Sequence, residues 1–377
     1  MKTVLISFYN VYPPSFGSAS VTFNLSKYLS GEKYLFHLGD LEDGIIDGNI
    51  NLVNIRGIFS NRFSKMVGVF IDLSSISRRI LKLNPDFVIL ESASWAIYYL
   101  ALFRLLKRGN NRIKIIYHAH CIEYLLRKQK NNILVALFTR WAEAILLKNS
   151  DLVFCVSEAD AVNFRTIYGV EAKILPNCVD NEKFDQVGDS QVISICKKYD
   201  LKGRLLLFMG LPEFKPNKEA ISLLIDRIFP PIILEIPECK LVIIGGKIDY
   251  KRPWLINPGN IPFEEVPSLI KACEVCIAPI FSGSGVRLKI LEYMAAARPV
   301  VSSVKGAEGI KLDGDKDILF AERAEEFSEK ILYLLRNPET AERMGRAAKE
   351  KIVESYSWQK IMLSFNKILK EHCDGCN

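Results

Sequence analysis

The feature that most constrains the fold of this chain is a repeated alternation between short apolar runs and stretches with helical periodicity. In the first half of the sequence most of these runs are followed by an amphipathic or apolar helical segment. The runs lie at Val4–Phe8, Tyr34–Leu38, Asn51–Ile55, Asp86–Leu90, Lys114–His118 and Leu152–Val156. Strands and helices that alternate at this spacing form a parallel sheet with helices on both of its faces. The sequence therefore predicts an α/β chain with a doubly wound sheet.

The same alternation begins again after residue 200, which predicts a second domain. Its first strand is Leu205–Met209, and further apolar runs follow in KLVIIGG and VCIAPI. A chain of 377 residues has the usual length of two domains. The polar stretch Asp185–Gln191 has the composition of a linker. We expect a first domain over 1–185, a second over 195–356, and a last helix with a tail over 357–377.

The composition favours a globular protein of the cytoplasm. Hydrophobic residues make up 49% of the chain and charged residues 25%, and no uncharged apolar run reaches the length of a membrane span. The amino-terminal MKTVLISFYN reads as a first strand and lacks the features of a cleavable signal peptide. The nine cysteines are an odd number, and several lie in apolar runs. This usage predicts reduced thiols in the cytoplasm.

Two kinds of motif resemble metal sites, and we interpret neither as one. The pairs Cys273/Cys276 and Cys373/Cys376 are much further apart in the chain than the two pairs of a zinc ribbon. The run Asp313-Gly314-Asp315 has the form of an acidic metal-binding motif, but it lies in a polar loop and is predicted to be a turn. No metal site is therefore predicted.

The positive charge of the chain belongs to its first half. Residues 1–180 hold 21 Lys and Arg against 15 Asp and Glu, which is +6 of the net +7. The basic clusters are Arg78/Arg79/Lys82, Arg104/Lys107/Arg108 and Arg127/Lys128/Lys130. They are either solvated helix faces or a surface that attracts an anionic membrane or a phosphate-bearing acceptor. No recognised nucleic-acid module is present, so nucleic acid is not a predicted partner.

The stretch Pro279–Gly309 has the sequence of a strand end, a Gly/Ser loop, a helix and a second strand. The helix is predicted to start near Val286 and to end before Pro299, since proline disfavours helix in the residue before it. A helix start exposes backbone N–H groups and a partial positive charge, and glycines let an anion approach them. Phosphate at this loop and a ribose diol on a carboxylate further along the helix would make a nucleotide site. The alternative is an ordinary strand–loop–helix unit with a solvated Glu.

These residues resemble the donor-binding segment of glycosyltransferase family four, which consists of retaining enzymes of the GT-B fold. Glu292 stands where the second Glu of the family's paired-Glu motif would be, and Pro299, Val300 and Val301 follow as expected. The first Glu is replaced by Ser284, and Ala297 stands where a helix-capping Gly is usual. The resemblance implies two Rossmann-like doubly wound domains facing a cleft, with the last helix packing back on the first domain.

The resemblance also assigns the donor contacts. Arg287 and Lys289 would supply charge to the diphosphate, beside backbone groups at Gly285 and Val286, with Ser284 near the sugar. Many members carry an Arg just after the glycine that ends the first strand of the second domain, and a Lys a few residues on. Leu211 occupies the Arg position, and Lys215 or Lys218 would serve as the Lys.

In the first domain, the residues singled out lie at predicted strand ends. Gly17 and Ser18 precede the first helix, where a phosphate or sugar could approach, although a tight turn is the alternative. His118 and His120 lie two apart at the end of IIYHAHC, hence on one face if the strand continues. The family's sugar-contacting His matches His120, and Glu91 is a weaker candidate.

The activity that the resemblance implies is transfer of a sugar from a nucleotide diphosphate sugar, of UDP or GDP type, to a glycan or glycolipid acceptor with retention. His120, Arg287 and Lys289 would be the catalytic residues, and no further cofactor is expected. The location would be the cytoplasm or the inner membrane surface. The alternatives are a nucleotide-sugar epimerase of the same fold and a non-catalytic member of a transferase complex. A dinucleotide dehydrogenase is disfavoured, because no strand is followed by G-x-G-x-x-G.

Overall fold

The structure, a computed structural model, describes residues 1–55, 62–92, 96–129, 133–283 and 285–374. They form two compact units. The first comprises Met1–Asn177 together with Ile361–Asn377, and the second comprises Cys178–Lys360. Each unit has its own mostly parallel sheet, so the prediction of two doubly wound α/β domains is confirmed. Among the described residues, no helix is both long and apolar enough to cross a membrane.

The sheet of the first unit has eight strands in the order β3-β4-β2-β1-β5-β6-β7-β8. All neighbours are parallel except β3 and β4. The strands are β1 Lys2–Ser7, β2 Glu32–His37, β3 Gly44–Ile46, β4 Ile50–Asn54, β5 Phe87–Glu91, β6 Lys114–Ala119, β7 Leu152–Cys155 and β8 Lys173–Ile174. The two short edge strands, β3 and β8, are mostly exposed and were not predicted, because neither carries an apolar run.

Six helices follow the strands of the first unit: α1 Gly17–Tyr28, α2 Arg62–Leu83, α3 Ala96–Gly109, α4 Glu123–Gln129, α5 Ile133–Asn149 and α6 Glu158–Tyr168. Because consecutive strands are parallel, a helix that connects two of them starts at the carboxyl edge of the sheet and returns to the amino edge. The carboxyl edge of this sheet therefore carries both the strand ends and the helix starts, which is where ligands bind in such sheets.

The second unit has six parallel strands in the order β11-β10-β9-β12-β13-β14. They are β9 Arg204–Met209, β10 Cys239–Ile244, β11 Leu255–Gly259, β12 Val275–Ala278, β13 Val300–Ser302 and β14 Leu319–Phe320. The helices are α7 Asn181–Asp185, α8 Asp189–Lys198, α9 Lys215–Leu223, α10 Phe229–Glu235, α11 Val266–Ala272, α12 Leu288–Ala295, α13 Ala324–Arg336 and α14 Pro338–Ser355. A π-helical turn, Leu224–Ile228, joins α9 to α10, and a 3₁₀ turn, Phe263–Glu265, precedes α11.

Strand β9 explains why the second sheet is covered on both faces. Successive side chains of a strand point to opposite faces. Leu205 and Leu207 contribute to one apolar cluster, whereas Leu206 and Phe208 contribute to the other. A strand that is apolar at every position needs helices on both sides, which is the property from which the fold was predicted.

The last helix, α15 Trp358–Asp374, belongs mainly to the first unit. Its Phe365 ring lies 4.9 Å from that of Phe154 in β7. Asn366 donates a hydrogen bond to the Tyr28 carbonyl (3.1 Å) and accepts one from the Ser30 amide (3.0 Å). The chain thus leaves the first unit after Asn177 and returns at Ile361, somewhat before residue 185 and after residue 357, the limits expected from the sequence.

Candidate functional site

The carboxyl edge of the first sheet carries a buried cluster of Glu91, His118 and His120. Glu91 ends β5, and His118 lies opposite it in the neighbouring strand β6. The carboxylate of Glu91 lies 2.7 Å from His120 Nε2 and 3.2 Å from His118 Nδ1. The two imidazole rings are 5.0 Å apart, so both project to one side, as their spacing predicts. The structure therefore places Glu91, the weaker candidate from the sequence, at the centre of the cluster.

The environment of Glu91 favours the ionised form of its carboxylate. Burial alone would raise the pKa of Glu91, but the neighbouring imidazoles of His118 and His120 outweigh it and hold the pKa well below its usual range. Thr22 of α1 also donates a hydrogen bond to the carboxylate (3.0 Å). With Nε2 donating to Glu91, the Nδ1 atom of a neutral His120 is left as a hydrogen-bond acceptor.

The distances in this cluster are those of hydrogen bonds. Among the described residues, Glu91, His118 and His120 form a group whose ligand atoms lie close enough together to share a metal ion. Two ligands of a tetrahedral zinc ion lie about 3.3 Å apart, given metal–nitrogen bonds of about 2.0 Å. The 2.7 Å between His120 Nε2 and Glu91 Oε2 is shorter, and the two atoms satisfy each other directly. The arrangement therefore fits a network that orients His120.

The start of α1 is tied to the same cluster. Helix α1 begins at Gly17, and its N-cap residue, Phe16, makes no side-chain capping hydrogen bond. The hydroxyl of Tyr9 lies 2.9 Å from the Thr22 hydroxyl and donates a long bond to the Ser18 carbonyl (3.5 Å). Tyr9 and Thr22 thus connect the Gly17–Ser18 turn to Glu91. The sequence indicates neither residue, because an apolar-flanked Tyr and a helical Thr carry no distinctive pattern.

A second buried carboxylate fixes the segment that follows His120. Glu143 in α5 accepts hydrogen bonds from the backbone N–H groups of Glu123 (3.2 Å) and Tyr124 (3.3 Å), at the start of α4. The Tyr168 hydroxyl also donates to it. Burial raises the pKa of Glu143 to about 7. Glu143 therefore holds the turn between β6 and α4 in place, a role the sequence did not indicate.

In the second unit, the Gly/Ser loop is longer than predicted, and α12 begins two residues later. The helix begins at Leu288, not near Val286, because Gly283 and Gly285 adopt positive φ angles of 93° and 85° and Arg287 is still extended. The loop packs on the start of α9, where Ser282 donates a hydrogen bond to Glu219 (2.7 Å). Ser284 lies outside the described residues.

Arg287 turns back onto its own loop. Its guanidinium donates to the carbonyl oxygens of Gly285 and Ser282. Burial lowers the pKa of Arg287, and Glu308 opposes the shift. The charge thus lies beside the backbone of the loop, at the approach to α12.

Lys289 lies in the first turn of α12 and is held by residues distant in sequence. Its Nζ donates to Asn217 Oδ1 (2.9 Å) and lies 4.3 Å from the centre of the Phe208 ring. Burial lowers the pKa of Lys289 to about 7, with a further contribution from Arg287. Gly210 permits the contact, because a Cβ there would lie 2.6 Å from the Asn217 side chain.

Glu292 follows one turn later on α12. Burial raises the pKa of Glu292 to about 7, against the opposing charges of Lys183 and Lys289. Lys183 comes from α7, and its Nζ lies 4.3 Å from the centre of the Phe263 ring. A carboxylate, a cation and an aromatic ring therefore lie in one neighbourhood. The sequence predicts Glu292 in this site but does not indicate Lys183.

Lys215 and Lys218 do not join these residues. Both are exposed, and Lys215 pairs with Glu219 in the next turn (3.7 Å). They line an open groove on α9 together with Ser222, Leu223, Asp226 and Arg227. The residue of this helix that contacts Lys289 is Asn217, which lies on its buried side.

The motifs excluded as metal sites have ordinary surroundings. Asp313-Gly314-Asp315 belongs to a turn closed by hydrogen bonds from Asp315 N to the Ile318 carbonyl and from Asp317 N to the Asp313 carbonyl, as predicted. Cys273 and Cys276 are buried free thiols, and burial raises the pKa of both. Cys376 lies outside the described residues.

Two families of known proteins match this chain in sequence. Residues 17–183 match the model described as Glycosyltransferase Family 4, and residues 203–337 match the one described as Glycosyl transferases group 1. An uncharacterized glycosyltransferase of Methanocaldococcus jannaschii is 24% identical over 273 residues, which are 68% of each chain.

Solved structures resemble the chain over nearly its whole length. Sucrose-phosphate synthase from Thermosynechococcus elongatus superposes with a TM-score of 0.81 at 15% identity, over 99% of both chains. HepE of Anabaena, in complex with UDP and glucose, superposes with a TM-score of 0.72 at 13% identity, over 98% of this chain and 99% of that one. At these identities the likeness concerns the fold.

Proposed function

Since this chain belongs to the family 4 glycosyltransferases, of the GT-B fold, we propose that it moves a sugar from a nucleoside diphosphate sugar to an acceptor hydroxyl with retention of anomeric configuration. The observation that carries the proposal is the arrangement on α12. Within two helical turns it presents one half-buried amine, Lys289, and one half-buried carboxylate, Glu292, each with an unusual pKa. Perturbed groups of this kind concentrate at functional sites.

The diphosphate would bind between the loop and the first turn of α12. The amides of that turn, Arg287 and Lys289 offer the donors that an anion needs. An amine that is half-neutral near pH 7 becomes fully charged beside a phosphate, because the negative charge favours its protonated form. The developing charge on the departing diphosphate would be stabilised by the same groups, which is the main catalytic contribution in this proposal.

The nucleoside would bind one turn further on, at Glu292. A carboxylate can accept two hydrogen bonds from the vicinal hydroxyls of a ribose. Lys183 and Phe263 lie in the same neighbourhood and offer a charge and an aromatic ring toward the rest of the nucleoside. UDP is the first nucleotide to test, because a protein of the same fold was solved in complex with UDP and glucose.

The carboxyl edge of the first unit would receive the acceptor and the transferred sugar. The Nδ1 atom of His120 would accept a hydrogen bond from a sugar hydroxyl, and Glu91 would hold the ring in the required orientation. The Gly17–Ser18 turn offers uncapped backbone N–H groups to the same region. The acceptor class that we propose is a glycan or a lipid-linked glycan.

We also propose a cytoplasmic location, at or near the inner membrane surface. The eight described cysteines are free thiols, which suits a reducing compartment. The excess positive charge of residues 1–180 suits an anionic surface or acceptor.

Thermal unfolding with UDP, GDP, ADP and NAD, repeated on Glu292→Ala, tests the donor site. We expect one nucleoside diphosphate to raise the melting temperature of the wild type. Loss of a charged hydrogen bond in the variant should weaken binding by about 1.5–3 kcal/mol. Lys218→Ala is the matched control, because Lys218 is exposed and lies outside the site, and it should bind like the wild type.

The other outcomes separate the alternatives. Binding without turnover of the matching nucleotide sugar would indicate a non-catalytic member of a transferase complex. Interconversion of two nucleotide sugars without acceptor would indicate an epimerase. Stabilisation by NAD alone would contradict the assignment of the site.

A further inference from the structure

The first half of α5 exposes a continuous apolar stripe. It consists of Ile133, Leu134, Leu137, Phe138 and Trp141, which recur at the spacing of one helix face and are here called the α5 surface. Leu134 is 77% exposed and Trp141 is 56% exposed. Single exposed apolar residues are common, but a contiguous apolar patch marks an interaction site.

The exposed charged residues of α4 and α5 are basic. The two acidic residues of α4 and α5, Glu123 and Glu143, are buried. The basic residues Arg127, Lys128 and Arg140 are exposed or half-buried. Arg127 pairs with Glu123 (3.4 Å), and Arg140 borders the apolar stripe, over the Tyr124 ring. An aromatic and aliphatic stripe edged by Arg and Lys is the composition of helices that lie in a membrane interface.

Two neighbouring helices, α2 and α3, also expose apolar side chains. Helix α5 packs on α3, and α3 packs on α2, so the three lie side by side. Phe70 and Ile71 of α2 and Ile97 at the start of α3 are exposed, and the Phe70 ring contacts Tyr98 of α3. These residues all lie in the first half of their helices, toward the carboxyl edge of the sheet.

The position of α5 determines which edge of the first sheet the α5 surface lies nearest. The helix ends at Asn149, shortly before β7 begins at the amino edge. Seventeen residues of helix span about 25 Å, which is more than the roughly 20 Å spanned by a six-residue strand such as β6. The beginning of α5, and with it Ile133 and Leu134, therefore lies toward the carboxyl edge, where His120 also lies.

We propose that the α5 surface docks on an anionic phospholipid membrane. Apolar side chains would enter the headgroup region while Arg127, Lys128 and Arg140 meet lipid phosphates. A second copy of the chain is a poorer occupant, because residues 1–180 carry a net charge of +6 and would repel their own kind. This inference does not depend on the transfer reaction. If both are right, the docked face brings the carboxyl edge of the first unit toward the lipid, which favours a lipid-linked acceptor.

Vesicle co-sedimentation of the full chain tests the proposal. We expect binding to vesicles of phosphatidylglycerol and phosphatidylcholine in equal parts, and much weaker binding to phosphatidylcholine alone. Salt at about 0.5 M should weaken the binding, because it screens the contribution of the basic residues. Trp141 fluorescence should shift to the blue when vesicles are added, and Trp141→Phe should remove that shift.

The decisive variant is Leu134→Gln/Phe138→Gln/Trp141→Gln, which keeps good or neutral helix formers on an exposed face. We expect its affinity for the anionic vesicles to fall by about tenfold or more, since three apolar side chains no longer enter the interface. Leu234→Gln/Leu363→Gln is the matched control. It removes two leucines of similar exposure on α10 and α15, and it should bind as the wild type does.

Folding of each variant is checked by circular dichroism and by thermal stabilisation with the nucleotide, whose proposed site lies in the other unit. Equal vesicle binding by the wild type and the triple variant would overturn the proposal. So would an absence of binding by the wild type. A wild-type dimer in light scattering that the triple variant abolishes would overturn it in favour of a second copy.

Discussion

Lys289 is a single residue whose protonation should report ligand binding. Burial lowers the pKa of its amine from 10.5 to about 7, so the folded protein binds fewer protons than the unfolded chain between these values. This residue therefore makes stability rise with pH from about 7 to about 10, where the unfolded amine loses its proton as well. A bound diphosphate reverses the shift, because its charge favours the ammonium form.

We expect binding of the nucleoside diphosphate at about pH 8 to take up nearly one proton, and the affinity to decline as pH rises further. Calorimetry in two buffers with different ionisation enthalpies measures the uptake. Lys289→Met should remove it, whereas Lys218→Met, a change at an exposed position outside the site, should leave it intact. Proton uptake of the same size in Lys289→Met would assign the titration to another group.

The residues of the candidate site could be predicted from the sequence only in part. Arg287, Lys289 and Glu292 could be found because they follow a Gly/Ser loop within one short helix. Asn217 and Lys183 could not, since they meet these residues from 72 and 109 positions away in the chain, and nothing local marks the encounter. In the sequence, Glu91 is only a weaker candidate for the site, for a related reason. Its importance depends on β5 and β6 being neighbours in the sheet, which is a property of topology.

At the scale of the element, the end of α12 carries a strained residue. Ala297 has a φ of 55°, in the left-handed region that favours glycine, and Gly345 of α14 lies against its carbonyl group. The left-handed conformation costs a residue with a Cβ about 1–2 kcal/mol. Glycine removes that cost but adds entropy to the unfolded chain, so the two effects partly cancel.

We expect Ala297→Gly to stabilise the second unit by about 0.5–1 kcal/mol, measured by denaturant unfolding. Ala295→Gly is the control. It lies inside α12 with helical geometry and should destabilise the unit by about 1 kcal/mol or more, through lost helix propensity and a buried methyl group. Destabilisation by Ala297→Gly would show that the left-handed residue is not under strain.

Elements with continuous apolar runs were predicted correctly, because burial on both faces leaves an unmistakable pattern. The six predicted strands of the first half all appear in the structure. The start of α12 was set two residues too early, because apolar spacing alone does not reveal that Gly283 and Gly285 adopt positive φ. The sequence did not indicate strand β3, because its pairing with β4 depends on backbone hydrogen bonds and not on a pattern of side chains.

At the scale of the whole molecule, two units with separate cores should unfold separately. The first unit includes Phe365 of the last helix, which is 2% exposed and contacts Phe154. Phe365→Ala should cost about 3–5 kcal/mol through the cavity it leaves. We expect calorimetry to show two transitions, of which this variant lowers one and the nucleoside diphosphate raises the other.

Leu363→Ala, at a position 74% exposed on the same helix, is the control and should leave both transitions in place. A single transition that responds to both the variant and the nucleotide would mean that the two units unfold together.

The path of the chain through the two units also sets an order of events during synthesis. The strands of the first unit leave the ribosome early, but α15, the helix that covers Phe154, follows only after the whole second unit. The whole second unit must be translated in between, which takes on the order of 10 s at about 5–20 residues per second. For that time the nascent first unit presents an uncovered apolar strip to the cell. Capture of the nascent chain by chaperones, and a destabilised first unit whenever translation stops before α15, are the consequences of completing that unit with a helix from beyond the second unit.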